Sequence, residues 1–358
     1  MSKVKIIAEA GVNHNGDIEL AKELISAAFD SGADVIKFQS FNTEELVTTK
    51  ASQAPYQSKN SKIKETQYEM LKKLELNRES HFILKEECDN LGIEFFSTAF
   101  DLTSLDFLIK DLKFRTLKIP SGEITNGSLI LNSALSGCDL IISTGMANLE
   151  EIKDALAIAA FGFTIKNDLN PSLTKFKKAF FSQKGKEFLK KKVSLLHCTS
   201  SYPASFEDLN LNSMETMRKK FQLPVGYSDH SLGIEASIAA VAKGAHIIEK
   251  HFTLDRKLSG PDHLASCEPP EFTNLVNSIR NIETALGDGI KEPKISELEN
   301  KKVARKSIFA TQNIKKGELI TQEMLSIKRP EIGMNPMMIW DLIGSKAKKD
   351  YEKDEVLK

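Results

Sequence analysis

Residues 224–251 read PVGYSDHSLGIEASIAAVAKGAHIIEKH. The stretch opens on a short apolar run, 224–227, continues through a segment of helical spacing, 234–242, and closes on a second apolar run, 245–248. Both runs stop at polar residues: Ser228, Asp229 and His230 after the first, Glu249, Lys250 and His251 after the second. Apolar runs too short for helices, joined by an amphipathic segment, describe parallel strands covered on both faces. The same unit repeats outward along the chain. Runs 4–8, 35–38, 93–96, 116–119, 140–142 and 193–196 bring the candidate strands to eight. Helical spacing falls at 18–30, 67–90, 104–109, 149–160 and 211–221, and again at 271–286 after the eighth run. Eight alternating units in about 285 residues predict an α/β fold, a (β/α)8 TIM barrel, with a doubly wound open sheet as the alternative.

Past Leu286 the texture changes. Residues 287–295 are polar and carry Gly287, Gly289 and Pro293, which reads as a linker. Residues 296–358 look like short strands joined by turns, a small second domain after a barrel spanning 1–286. Two stretches fall outside the pattern: 48–64, and the lysine-rich 161–192, expected to be a solvated excursion.

Lysine plus arginine equals aspartate plus glutamate, 49 against 49, which argues against a nucleic-acid binder with its clustered basic face. A small anionic ligand needs only a few lysines in one pocket. The cysteines Cys88, Cys138, Cys198 and Cys267 form no C-x-x-C pair and are expected to be small buried thiols. The N-terminus turns polar too early for a signal peptide, and no apolar run approaches the roughly 18 residues of a membrane span. A cytoplasmic location is expected.

In a TIM barrel the active site gathers at the C-terminal ends of the strands. Here each end is polar: Glu9 with Asn13 and His14, Lys37 with Gln39, Ser97 with Thr98, Lys118 with Ser121 and Glu123, Ser143 with Thr144 and Gly145, His197 with Ser200 and Tyr202, and the two ends quoted above. One such end is an ordinary cap; eight in succession describe a common pocket. Lys37 and Lys118 sit inside apolar strands, where an unpaired ammonium is costly, so each needs an anion from the protein or a ligand. The hydroxyls and loop amides around Ser121, Ser143, Ser200 and Ser228 suit phosphate oxygens, although helix capping is the plainer use of a serine. His230 and His251 follow adjacent strands and could meet over the barrel mouth as a divalent-metal site, with Glu9, Asp229, Glu249 and Asp262 as nearby carboxylates. Two nitrogen ligands completed by water and substrate suit manganese better than closed zinc. His14 could equally build the first turn, and His81, on a helix, reads as a surface residue. Glu9 is a base candidate or a partner for a buried lysine.

Taken together, residues 8–16, Lys37-Phe38-Gln39, residues 118–123, Ser143-Thr144-Gly145-Met146, His197-Cys198-Thr199 with Tyr202-Pro203, Ser228-Asp229-His230, residues 249–253 and Gly260-Pro261-Asp262-His263 resemble the bacterial sialic acid synthases. The tail, residues 313–319 with Lys328-Arg329-Pro330, resembles that family's C-terminal antifreeze-like (SAF) domain. The resemblance runs nearly end to end; only 161–192 lacks a clear counterpart. It implies that C3 of phosphoenolpyruvate attacks the aldehyde of an open-chain N-acyl mannosamine, that water adds at C2, and that phosphate leaves by C–O cleavage. On this sequence it implies that His230 and His251 hold Mn2+ or Mg2+ and that Glu9 orients or deprotonates water. Lys37, Lys118, Ser121, Ser143, Ser200 and Ser228 would cradle phosphoenolpyruvate, with Glu123 among the substrate-binding residues. Gln39, Tyr202 and Asp262 would face the sugar, and Arg329 would reach a partner's barrel in a domain-swapped homodimer. Some relatives have asparagine where this chain has Ser200, a departure at one cradle position.

The family makes several nine-carbon acids. N-acetylmannosamine leads to N-acetylneuraminate, a 2,4-diacetamido-6-deoxy mannose to legionaminate, and the matching altrose to pseudaminate; the texture leans to neuraminate, with legionaminate next. Two further readings differ in kind. A Schiff-base aldolase would use Lys118 or Lys250 and no metal. A non-catalytic carbohydrate- or ice-binding protein would explain the tail but has no need of paired lysines and histidines round a barrel mouth.

Overall fold

The computed structural model describes residues 3–54, 57–58, 65–165 and 170–358. Two compact units divide the chain, Met1–Gly287 and Asp288–Lys358. In the first, eight strands alternate with helices: β1 Lys5–Gly11, β2 Val35–Ser40, β3 Glu94–Ala99, β4 Thr116–Ile119, β5 Asp139–Ser143, β6 Val193–His197, β7 Val225–Asp229 and β8 Ile247–His251. Every recorded pairing is parallel, in the order β3-β2-β1-β8-β7-β6-β5-β4, and β3 and β4 lie close together at the two ends of the ladder. The sheet therefore curls into the expected near-closed barrel rather than an open doubly wound sheet.

Strand periodicity sorts the side chains. Ile7, Val35, Phe96, Ile141, Leu196 and Ile247 form a separate apolar cluster inside the barrel. The alternate residues, among them Ile6, Ala8, Ile36, Phe38, Leu140, Ile142, Leu195 and Ile248, join the larger core shared with the helices. Since side chains alternate across a strand, residues two further along than the inner plug point into the lumen at the barrel mouth. Glu9, Lys37, Thr98, Ser143 and Glu249 stand two positions beyond Ile7, Val35, Phe96, Ile141 and Ile247. The polar floor is thus the next storey of the same inward ladders.

The helices depart from expectation in three places. The long pattern 67–90 is two helices, Gln67–Leu74 and Arg78–Leu91, with Asn77 capping the second by accepting from the Ser80 amide. A helix at Gly127–Leu135, outside the segments of helical spacing, follows β4. The stretch 161–192 is no solvated excursion within its described residues: Leu149–Thr164 ends in it, and Leu173–Phe181 and Gln183–Lys192 pack back on that helix. The Phe161 and Phe176 rings meet edge to face at 5.1 Å, so apolar residues between the lysines supply the packing. Residues 166–169 of that stretch, and 55–56 and 59–64 of the irregular stretch 48–64, lie outside the described residues.

The second unit contains a helix, Ile295–Ala304, and an antiparallel pair, β9 Ser307–Ala310 with β10 Leu325–Lys328. Its own core gathers Ile308, Ala310, Ile314, Ile320, Leu325, Tyr351 and Leu357. All four cysteines are buried and unbridged. Among the described residues no helix is long and apolar enough to cross a membrane.

Candidate active site

A cavity of about 710 Å³ opens at the C-terminal ends of the strands. Its floor is a buried charge cluster. Lys37 Nζ lies 2.7 Å from Glu9 Oε2 and 3.4 Å from Glu249 Oε2, and donates to Thr98 Oγ1 at 3.1 Å. Lys118 Nζ donates to both Glu249 oxygens, at 2.8 and 3.0 Å, and Ser228 Oγ donates to Oε1 at 2.9 Å. Strand register explains these meetings, since Glu9 pairs with Lys37 across β1–β2 and Ser228 with Glu249 across β7–β8.

The two carboxylates respond in opposite senses. Burial pushes Glu9 above the ordinary carboxylate value, with Lys37 only partly offsetting it. Burial also penalises Glu249, yet the Lys118 and Lys37 ammoniums with Ser228 overcome it and hold that carboxyl well below its usual range. Burial works against the Lys37 ammonium too, but Glu249 and Glu9 raise it overall; Lys118 is lowered, by burial and then by Lys37, despite Glu249. Glu249 is thus the anchor of both lysines, a role that residue type alone left unspecified.

Hydroxyls line one side of the floor. Ser121 Oγ accepts the Gly145 amide at 3.0 Å and lies 3.1 Å from Cys198 Sγ. Ser143 Oγ and Ser200 Oγ are buried with no hydrogen-bond partner among the described residues. A Cβ on Gly145 would come within 2.2 Å of Ser200 Oγ and 2.8 Å of Ser121 Oγ, so only glycine leaves this cradle open. Glu123 also borders the cavity, where its Oε2 accepts from Asn126 at 2.7 Å.

The imidazoles occupy the other side. The His230 and His251 rings stand 5.4 Å apart, and the Tyr202 ring lies 4.2 Å from His230, tilted by 33°. His230 Nδ1 donates to the Thr199 carbonyl at 2.7 Å, which leaves its Nε2 as an acceptor, 3.4 Å from Ser228 Oγ. His251 Nδ1 is buried without a hydrogen-bond partner among the described residues, 4.0 Å from Asp262 Oδ2. Burial lowers His230 to about 4 and His251 well below its ordinary value, so both rings are neutral. Burial, reinforced by Glu9, raises Asp262 to about 7. Two neutral imidazoles suit a divalent ion; among the described residues no group of three or more His, Cys, Asp or Glu is arranged to hold one.

Glu9, Lys37, Lys118, Ser121, Glu123, Ser143, Ser200 and Ser228 line this cavity with Gln39, Tyr202, His230, His251 and Asp262, whereas His197 bonds the Leu209 carbonyl at 2.7 Å and lies outside it. Arg329 stands exposed in the second unit. Other assignments need correction. Asp229 is no metal carboxylate and Lys250 no candidate nucleophile, because odd-numbered steps on β7 and even-numbered steps on β8 face the helices. Lys250 Nζ lies 3.0 Å from Asp229 Oδ2 and donates to the Ser231 carbonyl at 2.8 Å, while Ser231 and Ser237 hydroxyls cap the same carboxylate at 2.6 Å each. Glu249 serves the lysines, as described. His81 is buried, not superficial, and bonds Ser40 Oγ at 2.7 Å. His14 Nδ1 accepts the Gly16 amide at 3.0 Å and so builds the first turn.

Asp229→Asn is expected to lower stability by about 3–5 kcal/mol, because it strips the charge partner from a buried lysine. Urea unfolding checks this; a loss below about 0.5 kcal/mol would contradict the pairing.

Residues 24–291 match the model of the NeuB family and residues 305–358 that of the SAF domain. An N,N'-diacetyllegionaminic acid synthase of Legionella pneumophila is 49% identical over 341 residues, 95% of this chain and 89% of the relative. One of Campylobacter jejuni is 46% identical over 358 residues, the whole of both chains. A crystal structure of N-acetylneuraminic acid (sialic acid) synthetase from Leptospira borgpetersenii, in complex with citrate, superposes with a TM-score of 0.67 at 38% identity, covering 84% of this chain and 90% of that one. With a charged floor, a hydroxyl cradle and two facing imidazoles in one barrel mouth, the chain belongs to the NeuB family of sialic acid synthases and carries a C-terminal SAF domain.

Proposed function

We propose that the protein joins phosphoenolpyruvate to 2,4-diacetamido-2,4,6-trideoxymannose, making N,N'-diacetyllegionaminate and releasing phosphate. The neuraminate reading, favoured on sequence texture, becomes the second choice. The observation that carries the reaction class is the meeting of Lys37 and Lys118, the unpartnered Ser143 and Ser200 hydroxyls and the two neutral imidazoles in one cavity. The choice of acid is supported by two relatives at 49% and 46% identity that carry that product in their names, against 38% for the sialic acid synthetase.

In this reading Lys37 and Lys118 meet the phosphate and carboxylate of phosphoenolpyruvate, while the Ser121–Gly145 cradle and the free hydroxyls take phosphate oxygens. His230 and His251 would hold Mn2+ or Mg2+, which when bound supplies Lewis-acid polarisation of the sugar aldehyde. C3 of the enol forms the new C–C bond to the aldehyde carbon as the carbonyl π bond opens, and the aldehyde oxygen takes up a proton to become a hydroxyl. Water then adds at C2, with its proton taken by Glu9, and the C2–O bond breaks as phosphate departs. Gln39, Tyr202 and Asp262 orient the sugar. On the resemblance, Arg329 acts within a homodimer.

Phosphate-release assays with the trideoxymannose, N-acetylmannosamine and the trideoxyaltrose test the proposal. At least tenfold higher kcat/KM with the first is expected, and equal or faster turnover of N-acetylmannosamine overturns the legionaminate assignment. EDTA should abolish activity and Mn2+ or Mg2+ restore it. Chelator-resistant turnover, with Lys118 trapped by borohydride, would establish the Schiff-base mechanism instead.

A further inference from the structure

The cavity has two unlike halves. Beside the charged floor stands an apolar wall made by Phe41, Leu46, Val47, Met70, Leu71 and Leu74. Phe41 follows β2, Leu46 ends the short helix Thr43–Leu46, and the last three lie on the helix Gln67–Leu74. Phe41, Met70, Leu71 and Leu74 are buried within one apolar cluster, so the wall is built by packing. The helix itself is held by a capping box, in which Thr66 and Glu69 satisfy each other's backbone amides. Its bordering polar side chains, Gln57 and Gln67, are neutral amides.

Ring order fixes where this wall stands. With the strands running in sequence around a barrel of eight, the ends of β2 and β3 face those of β6 and β7. The wall thus lies across the mouth from His230, and a sugar with its aldehyde at His230 and His251, as the proposed function has it, can reach it with its far end. A hydroxymethyl group there would lose water and find no partner on these side chains. A methyl group would lose nothing and gain contact.

We infer that this wall, with Val47 and Met70 as its specificity-determining residues, seats a methyl-terminated end of the amino sugar and so selects 6-deoxy over 6-hydroxy substrates. The inference rests on the proposed function for the direction in which the sugar lies. It goes further by assigning the choice at C6 to named residues, separately from the choice at C4.

The test uses the full chain and four sugars: N-acetylmannosamine and its 4-acetamido-4-deoxy analogue, each with a hydroxyl or a hydrogen at C6. At either C4 substituent, kcat/KM is expected to favour the 6-deoxy sugar by roughly 10–100-fold, the range an apolar pocket gives against an added hydroxyl. Val47→Thr keeps shape at a half-buried position, and Met70→Gln adds an amide deeper in the wall. Each should cut that ratio about fivefold or more, with the KM for phosphoenolpyruvate unchanged. A wild-type ratio within twofold overturns the inference. So does an unchanged ratio in Val47→Thr when its thermal midpoint matches wild type, whatever happens to Met70→Gln. Preference for 6-deoxy-N-acetylmannosamine without turnover of the 4-acetamido sugar would defeat the legionaminate assignment and leave the wall's role standing.

Discussion

Glu9→Gln is expected to lower kcat for phosphate release by about 10²–10⁴-fold while the chain stays folded, the range for loss of a positioned general base. Glu9 ends the inward ladder of β1, in register with Lys37 on one side and His251 on the other. It is the carboxylate in the floor that burial pushes upward, towards the value a proton acceptor needs near neutrality. Glutamine keeps its shape, and Lys37 retains Glu249 at 3.4 Å, so the substitution removes basicity more than structure. The KM for phosphoenolpyruvate should therefore stay within a few-fold of wild type. An unaltered kcat would remove Glu9 from the chemistry and leave it as a counter-ion to Lys37.

Glu249→Leu is expected to act on stability, by about 3–5 kcal/mol. Leucine leaves Lys118 without its carboxylate and Lys37 with only Glu9, both ammoniums being buried. The midpoint of urea unfolding should fall accordingly. Inorganic phosphate or phosphoenolpyruvate should restore more of the lost stability to this variant than they add to wild type, because Lys118 then lacks its carboxylate and Lys37 keeps only Glu9. Loss of less than about 1 kcal/mol, or no added effect of phosphate, would contradict Glu249 as the shared anchor.

The barrel and the membership of its mouth were legible in the sequence because both follow from period two. Apolar runs mark the strands, and the polar residues just beyond them are where a TIM barrel gathers its site. What could not be read was which way each polar residue faces, since that depends on strand register and one step reverses it. Asp229 and Lys250 looked as promising as Ser228 and Glu249, yet they point to the helix layer and pair there. His81 reads as a surface residue because a single polar residue on an amphipathic helix gives no hint of Ser40, itself bonded to Ser97, on the adjoining strands. The lysines of 173–192 concealed the phenylalanines that fold those residues onto the neighbouring helix. The apolar wall was hidden for a simpler reason. Met70, Leu71 and Leu74 follow a helical period, but nothing in that period shows that they meet Phe41, Leu46 and Val47 over the barrel mouth.

The ladder on β8 makes the sign of the cavity a matter of parity. Ile247, Glu249 and His251 face the lumen while Ile248 and Lys250 face the helices. One residue inserted ahead of Ile248 would exchange the two sets. The floor would then hold Lys37, Lys118 and Lys250 without Glu249, and His251 would be turned away from His230. A frame of one residue, rather than the identity of any side chain, separates a neutral floor from a trap for anions.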